Sequence, residues 1–258
     1  MIIKTLLKKK YLRRIRGVKH EKFEKCVSKL KSAWRAAQKR KLIAGRPYGI
    51  GELREHLLLL LMYYRTYTTH LFLAQIFKVD EATICRTIKR IERFFVKNPS
   101  NSLKTFIFLQ YCCKRVKLFE GLREAFFKKF LCEVVIAPSG RILRVSKLYK
   151  GRVHDFEIRK TEGLLPAVPI LADSGYQDLQ NTHSAAVILP KKKPKNGSLS
   201  ASEQARNTKL ARCRIAIEHT FAHLKKWNIL AARYRGHLSN YPQIFQTIAG
   251  IYNLTRAR

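Results

Sequence analysis

Apolar residues recur at helical spacing in the first part of the chain, within strongly basic surroundings. Residues 1–45 are rich in Lys and Arg and are predicted to form basic helix around a modest apolar stripe. That stripe consists of Phe23, Cys26, Leu30 and Trp34. The segment "AGRPYGIG" at 44–51 is predicted to break the helix, and a second helical stretch covers Glu52 to Tyr64.

Two short apolar patterns separated by a polar turn predict a helix-turn-helix at about 70–94. Asp80 is placed to cap the second helix, and Lys78 stands in the turn where glycine is common. The apolar positions are Leu71, Leu73, Ala74 and Phe77 in the first helix, and Ile84, Ile88 and Ile91 in the second. The outward face of the second helix is predicted to carry Thr83, Arg86, Thr87, Lys89 and Arg90. A plain helical hairpin is the alternative, and the chain's charge favours DNA binding.

The pattern changes twice in the second half of the chain. Residues 98–131 have no clear period, although "TFIFLQY" within them is compatible with a strand. From Cys132, "CEVVIA" and "ILRVSKLY" predict a hairpin, and "VPILA" predicts a buried strand that ends at Asp173. A long helix is predicted from about Ser202 to Trp227, preceded by the capping box of Ser200 and Glu203. Its predicted buried stripe is Leu210, Cys213, Ile217, Phe221 and Leu224.

The composition points to a folded, nucleic-acid-binding protein. The 258 residues are 46% hydrophobic and carry a net charge of +36, a field that attracts polyanions. Nucleic acid is the first partner to consider, and an anionic membrane surface is the second. The longest apolar run, Leu57–Met62, falls far short of the roughly 20 residues of a membrane span. With no secretory signal pattern and no CxxC pair among its six cysteines, we expect an intracellular protein with free thiols.

Two carboxylates stand out in this basic sequence. Asp173 follows the buried strand, and Glu218 lies just off the apolar stripe of the long helix, four residues after Arg214. Carboxylates at a strand end and at a helix edge could converge on a divalent cation such as Mg²⁺. The structural alternatives, an Asp that caps a turn and a Glu paired with an Arg, are equally compatible with the spacing.

Several short sequences resemble one family in the right order. "ILADSGYQDLQ", "LPKKKPKNGSLS", "RCRIAIEHTFAHLKKWNIL" and "IAGIYNL" closely resemble the C-terminal half of insertion-sequence transposases of the IS5 group with a DDE superfamily-4 (Harbinger-like) domain. "GRILRVSKLYKGRVHDF" resembles the hairpin and the following His-Asp loop of that family, and residues 70–94 resemble its helix-turn-helix. The resemblance covers about 46–97 and 132–254.

The resemblance implies a fold, a chemistry and a set of sites. The expected fold is α/β, an RNase H-like mixed sheet with flanking helices, after an all-α helix-turn-helix domain. Asp173 would be the second catalytic Asp and Glu218 the catalytic Glu, both ligands of a two-metal Mg²⁺ (or Mn²⁺) site that cleaves and transfers DNA strands at terminal inverted repeats. The auxiliary residues are His154, Asp155 and Arg214. The residues expected to bind DNA are those of the second helix, together with Lys191, Lys192, Lys193, Lys195, Lys225 and Lys226.

The first catalytic Asp that the family implies is missing. It should lie on the strand before "CEVVIA", but the sequence has no Asp between Asp80 and Asp155. We infer that two compensating frameshifts rewrote residues 98–131, which leaves an incomplete metal site and an inactive, degenerate transposase. The resulting division is a basic helical region at 1–97, the aberrant segment at 98–131 and a partial catalytic domain at 132–258.

Other functions remain open for such a chain. It could be a sequence-specific DNA-binding protein without catalysis or a residual nuclease. The expected partners are double-stranded DNA, as inverted repeats and target, and further copies of the chain in a homo-oligomer, but no membrane. The expected location is the cytoplasm of a bacterium, in association with the nucleoid.

Overall fold

The chain forms two compact units. The computed structural model describes residues 17–39, 49–97, 111–118, 130–137, 139–150, 153, 155–162, 169–172, 174–194 and 197–256. The first unit combines residues from Met1–Lys104 with Leu224–Arg258, and the second is formed within Thr105–His223. No helix in the described part of the chain is long and apolar enough to cross a membrane.

The first unit is helical. Its N-terminal helices are α1 (His20–Lys39), α2 (Leu53–Thr66), α3 (His70–Phe77) and α4 (Glu81–Lys97). The apolar run Leu57–Met62 lies in α2 and is almost fully buried, so it is a core helix. The stripe predicted for α1 is buried as well, with Phe23 and Leu30 both fully inaccessible. Burial of these side chains is the main stabilising contribution in the unit.

The predicted helix-turn-helix is confirmed in α3 and α4. Lys78 ends α3 in the left-handed conformation, with φ +53°, and its backbone N–H donates to the carbonyl of Ala74. The backbone N–H of Val79 donates to the same carbonyl at 3.1 Å. This is the conformation for which glycine is usually selected, so the unusual lysine occupies a normal turn.

The C-terminal segment is part of this first unit. It forms α7 (Asn228–Ala231) and α8 (Tyr241–Arg256), and α8 packs against α1 and α4. Between α7 and α8, Arg235 donates its backbone N–H to the Tyr67 hydroxyl at 2.6 Å and stacks its guanidinium over the Tyr67 ring at 4.3 Å. The C-terminal residues group with the N-terminal helices because the apolar face of α8 is buried there.

The second unit is built on a mixed sheet. Its described strands are β1 (Tyr111–Leu118), β2 (Phe130–Ile136), β3 (Ile142–Val145), β4 (Tyr149–Lys150), β5 (Ile170–Ala172) and β6 (Val187–Ile188). The order is β3-β2-β1-β5-β6, with β4 paired to β2. Strand β2 pairs antiparallel with both β1 and β3, whereas β1, β5 and β6 run parallel to one another. The predicted hairpin is therefore β2–β3, and the predicted buried strand is β5.

The aperiodic segment contributes an inner strand. Of "TFIFLQY", only Tyr111 belongs to the described residues, and it begins β1, which continues to Leu118. Since β1 pairs with β2 on one side and β5 on the other, the sheet has an inner strand at this place. Residues 105–110 lie outside the described residues, so the strand predicted for "TFIFLQY" is described only at Tyr111.

One long helix and two short elements accompany the sheet. The helices are α5 (Asp155–Thr161) and α6 (Ala201–Leu224), and a 3₁₀ segment covers Ser174–Asn181. Tyr176 and Leu179 of the 3₁₀ segment pack with Val135, Ile170 and Ala172 of the sheet. Cys26, Cys85, Cys132 and Cys213 are free thiols, as predicted.

The buried stripe predicted for α6 is correct only in its C-terminal part. Ile217, Phe221 and Leu224 are buried, but Leu210 is half-buried and Cys213 is exposed. Every residue from 201 to 213 is exposed or half-buried. The prediction failed there because periodicity shows which face of a helix can be buried but not how far along that face a neighbour extends.

Candidate nucleic-acid interface and catalytic positions

Helix α4 presents part of the basic face that its sequence predicts. Arg86 and Lys89 are exposed, and Thr83 and Arg90 are half-buried. Thr87 is only 1% exposed, so the prediction that it faces outward is wrong. Thr87 follows Ile84 by three positions and precedes Ile91 by four, which places it on the buried side of the helix. Of the five residues predicted to face outward, Thr87 is therefore the one that is buried.

Asp80 organises the start of α4. Its Oδ1 accepts the backbone N–H of Thr83 at 2.7 Å, and its Oδ2 accepts the Thr83 hydroxyl at 2.6 Å, so the predicted helix cap is confirmed. These hydrogen bonds from Thr83 lower the pKa of Asp80. The Arg86 guanidinium lies 3.6 Å from Oδ1 of the same carboxylate. Both Thr83 and Arg86 are thereby held in place at the N-terminus of the helix.

The half-buried side chain of Arg90 contacts a buried histidine. Its Nη1 lies 3.3 Å from Nε2 of His56, which is buried in α2. The other ring nitrogen of His56, Nδ1, lies 2.9 Å from the carbonyl oxygen of Glu52, so it carries the proton and Nε2 accepts from Arg90. Burial lowers the pKa of His56 to about 4, and the nearby Arg90 charge acts in the same direction. The sequence did not single out His56, since its only local signal is an apolar run.

The expected catalytic residues are only partly described. Asp173 and His154 lie outside the described residues; Asp173 follows Ala172, the last residue of β5. Asp155 begins α5, and Arg214 lies within α6, but their side chains are likewise outside the description. Glu218 lies in α6, directly after buried Ile217, and its side chain is exposed. A carboxylate at this position is accessible to solvent and to a ligand.

The neighbour of β5 in the sheet is a basic strand. Cys113 of β1 pairs with Ala172 of β5, and the two strands are parallel. Strand β1 has the sequence YCCKRVKL, which contains three cations and no acid. The residues that directly follow the paired positions are Lys114 on β1 and Asp173 after β5. Among the described residues, no group of three or more His, Cys, Asp or Glu side chains is placed to hold a metal ion.

The predicted lysines lie around α6 and its preceding loop. Lys192 and Lys193 are exposed, Lys195 lies outside the described residues, and Lys225 and Lys226 are exposed just after the helix. Lys191 is held by α6: its Nζ donates to Oε1 of Glu203, and its backbone N–H donates to Oδ1 of Asn207 at 3.0 Å. Sequence reasoning identified Glu203 as a cap but missed Asn207, because an exposed Asn in a helix carries no local signal of a contact with a loop.

Comparison with known proteins gives two family matches. The family described as "DDE superfamily endonuclease" matches residues 94–253, and the family described as "Helix-turn-helix of DDE superfamily endonuclease" matches residues 52–101. A protein of Microchaete diplosiphon described as "Probable transposase for insertion sequence element IS702" is 27% identical over 271 residues, which cover 97% of this chain and 95% of that protein. No solved structure matches the chain.

Proposed function

Because this chain belongs to the DDE superfamily endonucleases, which match it over 94–253, we propose that it is an insertion-sequence transposase of the IS5 group that has lost its cleavage activity. The similarity to the IS702 protein along nearly the whole chain supports a transposase, and the helix-turn-helix with exposed Arg86 and Lys89 supports DNA binding. The strand order, with an antiparallel hairpin on one side of β1 and parallel strands on the other, supports an RNase H-like sheet.

Asp173 and Glu218 are the residues we propose as the remaining metal ligands. Asp173 follows the end of β5, and Glu218 is an exposed carboxylate on α6. Carboxylate oxygens suit Mg²⁺ or Mn²⁺, and a pair of such ions can stabilise both the attacking and the leaving oxygen of a phosphodiester. Asp155 and His154 are proposed as auxiliary residues, and Arg214 as a neighbour of Glu218, four residues away on the helix.

The composition of β1 is the observation that carries the proposed loss of activity. This strand precedes "CEVVIA" and pairs with β5, so it is where the family's first Asp is expected, yet it contains Lys114, Arg115 and Lys117 and no acid. Asp173 and Glu218 alone, with no acid in β1, do not fit a two-metal site, because ligands and negative charge are both lacking.

A cleavage assay with a restored carboxylate tests the proposal. The full chain is incubated with Mg²⁺ or Mn²⁺ and a duplex that carries the ends of its own element. The unchanged chain is expected to leave the duplex intact, whereas Lys114→Asp is expected to give metal-dependent cleavage at least tenfold above background that disappears when Asp173→Ala is added.

A matched substitution controls for charge alone. Lys117→Asp makes the same change of charge on the same strand, but about 10 Å further along it at roughly 3.3 Å per residue, and is expected to restore nothing. Equal cleavage by both variants would mean that position 114 is not the lost ligand. Robust cleavage by the unchanged chain, lost in Asp173→Ala, would overturn the proposed inactivity.

The coding DNA offers an independent test of the frameshift. Translation of codons 98–131 in the other two frames is expected to give an acidic amino-acid sequence similar to the "Asp-Ala-Thr-Glu" motif that the family carries before its hairpin. An unrelated amino-acid sequence in every frame would argue for an insertion instead. In that case, a DNA-binding protein without catalysis would be the better description, since it requires only the basic surface of α4.

A further inference from the structure

The lysine-rich loop before α6 is described at residues 191–194 and 197–200. A pair of hydrogen bonds between Lys191 and Asn207, called the clasp below, joins it to the helix. Asn207 accepts the backbone N–H of Lys191 through Oδ1 at 3.0 Å and donates through Nδ2 to the backbone carbonyl of Lys191 at 3.0 Å. One side-chain amide thus satisfies both backbone groups of a loop residue 16 positions away in the sequence. The loop position is therefore defined by side-chain chemistry as well as by chain connectivity.

The other end of the loop is fixed by the helix cap. Ser200 and Glu203 form the predicted capping box: the Glu203 N–H donates to Oγ of Ser200 at 3.3 Å, and the Ser200 N–H donates to Oε2 of Glu203 at 2.9 Å. Gln204 donates to the carbonyl of Leu199 at 2.9 Å. The hydrogen bond from Lys191, followed by that from Ser200, lowers the pKa of Glu203, so this carboxylate stays ionised and attached to both ends of the loop.

The clasp lies on the same side of α6 as Glu218. The two residues are 218 − 207 = 11 positions apart in one continuous helix, Ala201–Leu224. At 3.6 residues per turn, this spacing brings them back to within about 20° of the same direction, and at 1.5 Å per residue it separates them by about 16 Å. The clasped loop therefore lies about three turns N-terminal to the carboxylate, along one face of the helix.

The charges on this part of the molecule are almost all positive. Lys192 and Lys193 are exposed in the loop, and Arg206, Lys209 and Arg212 are exposed at steps of three along the helix. Residues three apart are neighbours on a helix surface, so the last three cations form a continuous ridge, which lies roughly 120–180° around the helix from Glu218 at 3.6 residues per turn. Within Lys191–Arg212, Glu203 is the sole acid in the sequence, and it is bonded to Lys191. Such a surface is complementary to a polyanion and unsuited to a metal cation.

We propose that this clasped loop binds the phosphate backbone of DNA that leads toward Glu218, and that Asn207 is the residue that positions the loop for it. The proposal rests on the proposed function, since it assigns the path of the DNA that the transposase holds. Fixing the loop before binding lowers the conformational entropy lost when its lysines meet phosphates. Asn207 acts through Lys191 and its neighbours, and it need not touch DNA itself.

Binding of the full chain to a duplex of the element's end, measured by fluorescence anisotropy at several salt concentrations, tests the proposal. Lys192→Ala combined with Lys193→Ala is expected to weaken binding about tenfold or more and to reduce the slope of log affinity against log salt by about 2, because each phosphate contact contributes about 0.9. Asn207→Ala is expected to weaken binding about threefold to tenfold with little change of slope, because the lysines remain but are no longer held.

Combining the variants shows whether Asn207 acts through the loop. In the background without Lys192 and Lys193, Asn207→Ala is expected to add less than a further twofold loss. Thr208→Ala is the matched control, because the Thr208 hydroxyl donates to the Gln204 carbonyl of its own helix at 2.9 Å, and it is expected to leave affinity within about 1.5-fold. Full additivity of Asn207→Ala with the lysine pair, or no loss in Asn207→Ala alone, would overturn the inference.

Variants of α4 separate this inference from the proposed function. Arg86→Ala combined with Lys89→Ala is expected to weaken binding to the same duplex strongly. If it does so while the loop variants bind normally, the path along α6 is wrong and the transposase proposal stands. If the unchanged chain binds neither the element's end nor unrelated duplex DNA, the proposed function itself fails.

Discussion

Helices α4 and α6 both have basic sequences, but only α4 has a buried face along its whole length. Ile84 near the start of α4 and Phe95 near its end are 0% and 3% exposed. On α6, Ile217 is buried, whereas residues 201–213 and Ile215 are exposed or half-buried. Neighbours explain the contrast: α2, α3 and α8 all pack against α4, whereas the first half of α6 is joined by hydrogen bonds to a lysine-rich loop.

Helices α4 and α6 combine apolar residues and a basic surface in two ways. In α4, the apolar face provides most of the stability and the cations remain on the opposite face, as in an ordinary surface helix. In the first half of α6, polar contacts replace apolar ones, so little free energy of unfolding depends on individual side chains there. Substitutions on the two helices should therefore have very different effects on stability.

Removing equivalent apolar side chains should show the largest difference. Ile84→Ala is expected to lower the free energy of unfolding of the first unit by about 3 kcal/mol, since it removes a fully buried side chain and leaves a cavity. Leu210→Ala removes a half-buried side chain of α6 and is expected to lower the free energy of unfolding by less than about 1 kcal/mol. Urea unfolding followed by circular dichroism measures both. Tryptophan fluorescence isolates the first unit, because Trp34 and Trp227 both belong to it.

Equal losses in the two variants would contradict the comparison. In that case, Leu210 would be covered in solution, for instance by a second copy of the chain. The loss in Leu210→Ala would then depend on protein concentration, and repeating the measurement over a tenfold range of concentration would reveal it.

Acid should affect the packing of α4 through His56. Burial lowers the pKa of His56 from 6.5 to about 4, so the unfolded chain binds a proton that the folded chain excludes. Stability is fully present above about pH 6.5 and is lost as the pH falls toward 4. The expected loss at pH 5 is about 2 kcal/mol relative to pH 8. Unfolding followed by tryptophan fluorescence is suited to this test, because the Trp34 ring lies 5.0 Å from the His56 ring.

A histidine variant isolates this effect from other titrating groups. His56→Gln keeps an amide that can bond the Glu52 carbonyl but removes the titration. Its stability should fall less steeply between pH 6.5 and 5 than that of the unchanged chain, by about 2 kcal/mol. Parallel pH profiles for the two proteins would show that His56 is not the group responsible.

Local sequence signals predicted the features that depend on neighbouring residues. Asp80 as a helix cap and the Ser200–Glu203 box each need only contacts three positions apart, and both are present. The exposed state of Cys213 and the burial of Thr87 could not be predicted, because each depends on which elements meet in three dimensions.

The same distinction between local signals and distant contacts applies to the candidate site. The missing acid of β1 is visible in the sequence, but only the register of Cys113 with Ala172 indicates that position 114 is the one to change. Likewise, the lysines of the loop were predicted from charge, whereas the Asn207 clasp joins residues 16 positions apart and gives no local pattern. Sequence therefore indicates the chemistry that is available, and pairing between distant segments determines where it is used.

The smallest expected effect lies in the turn that precedes α4. Lys78 has φ +53°, a conformation that costs an L-residue about 1 kcal/mol and glycine almost nothing. Lys78→Ala keeps the side-chain carbon that causes this strain, so it controls for the lost charge. Lys78→Gly is expected to be more stable than Lys78→Ala by about 0.5–1 kcal/mol in urea unfolding, because relief of strain exceeds the added flexibility of the unfolded chain. A glycine variant less stable than the alanine variant would mean that the turn is not strained, and that the packing of α3 against α4 alone determines its geometry.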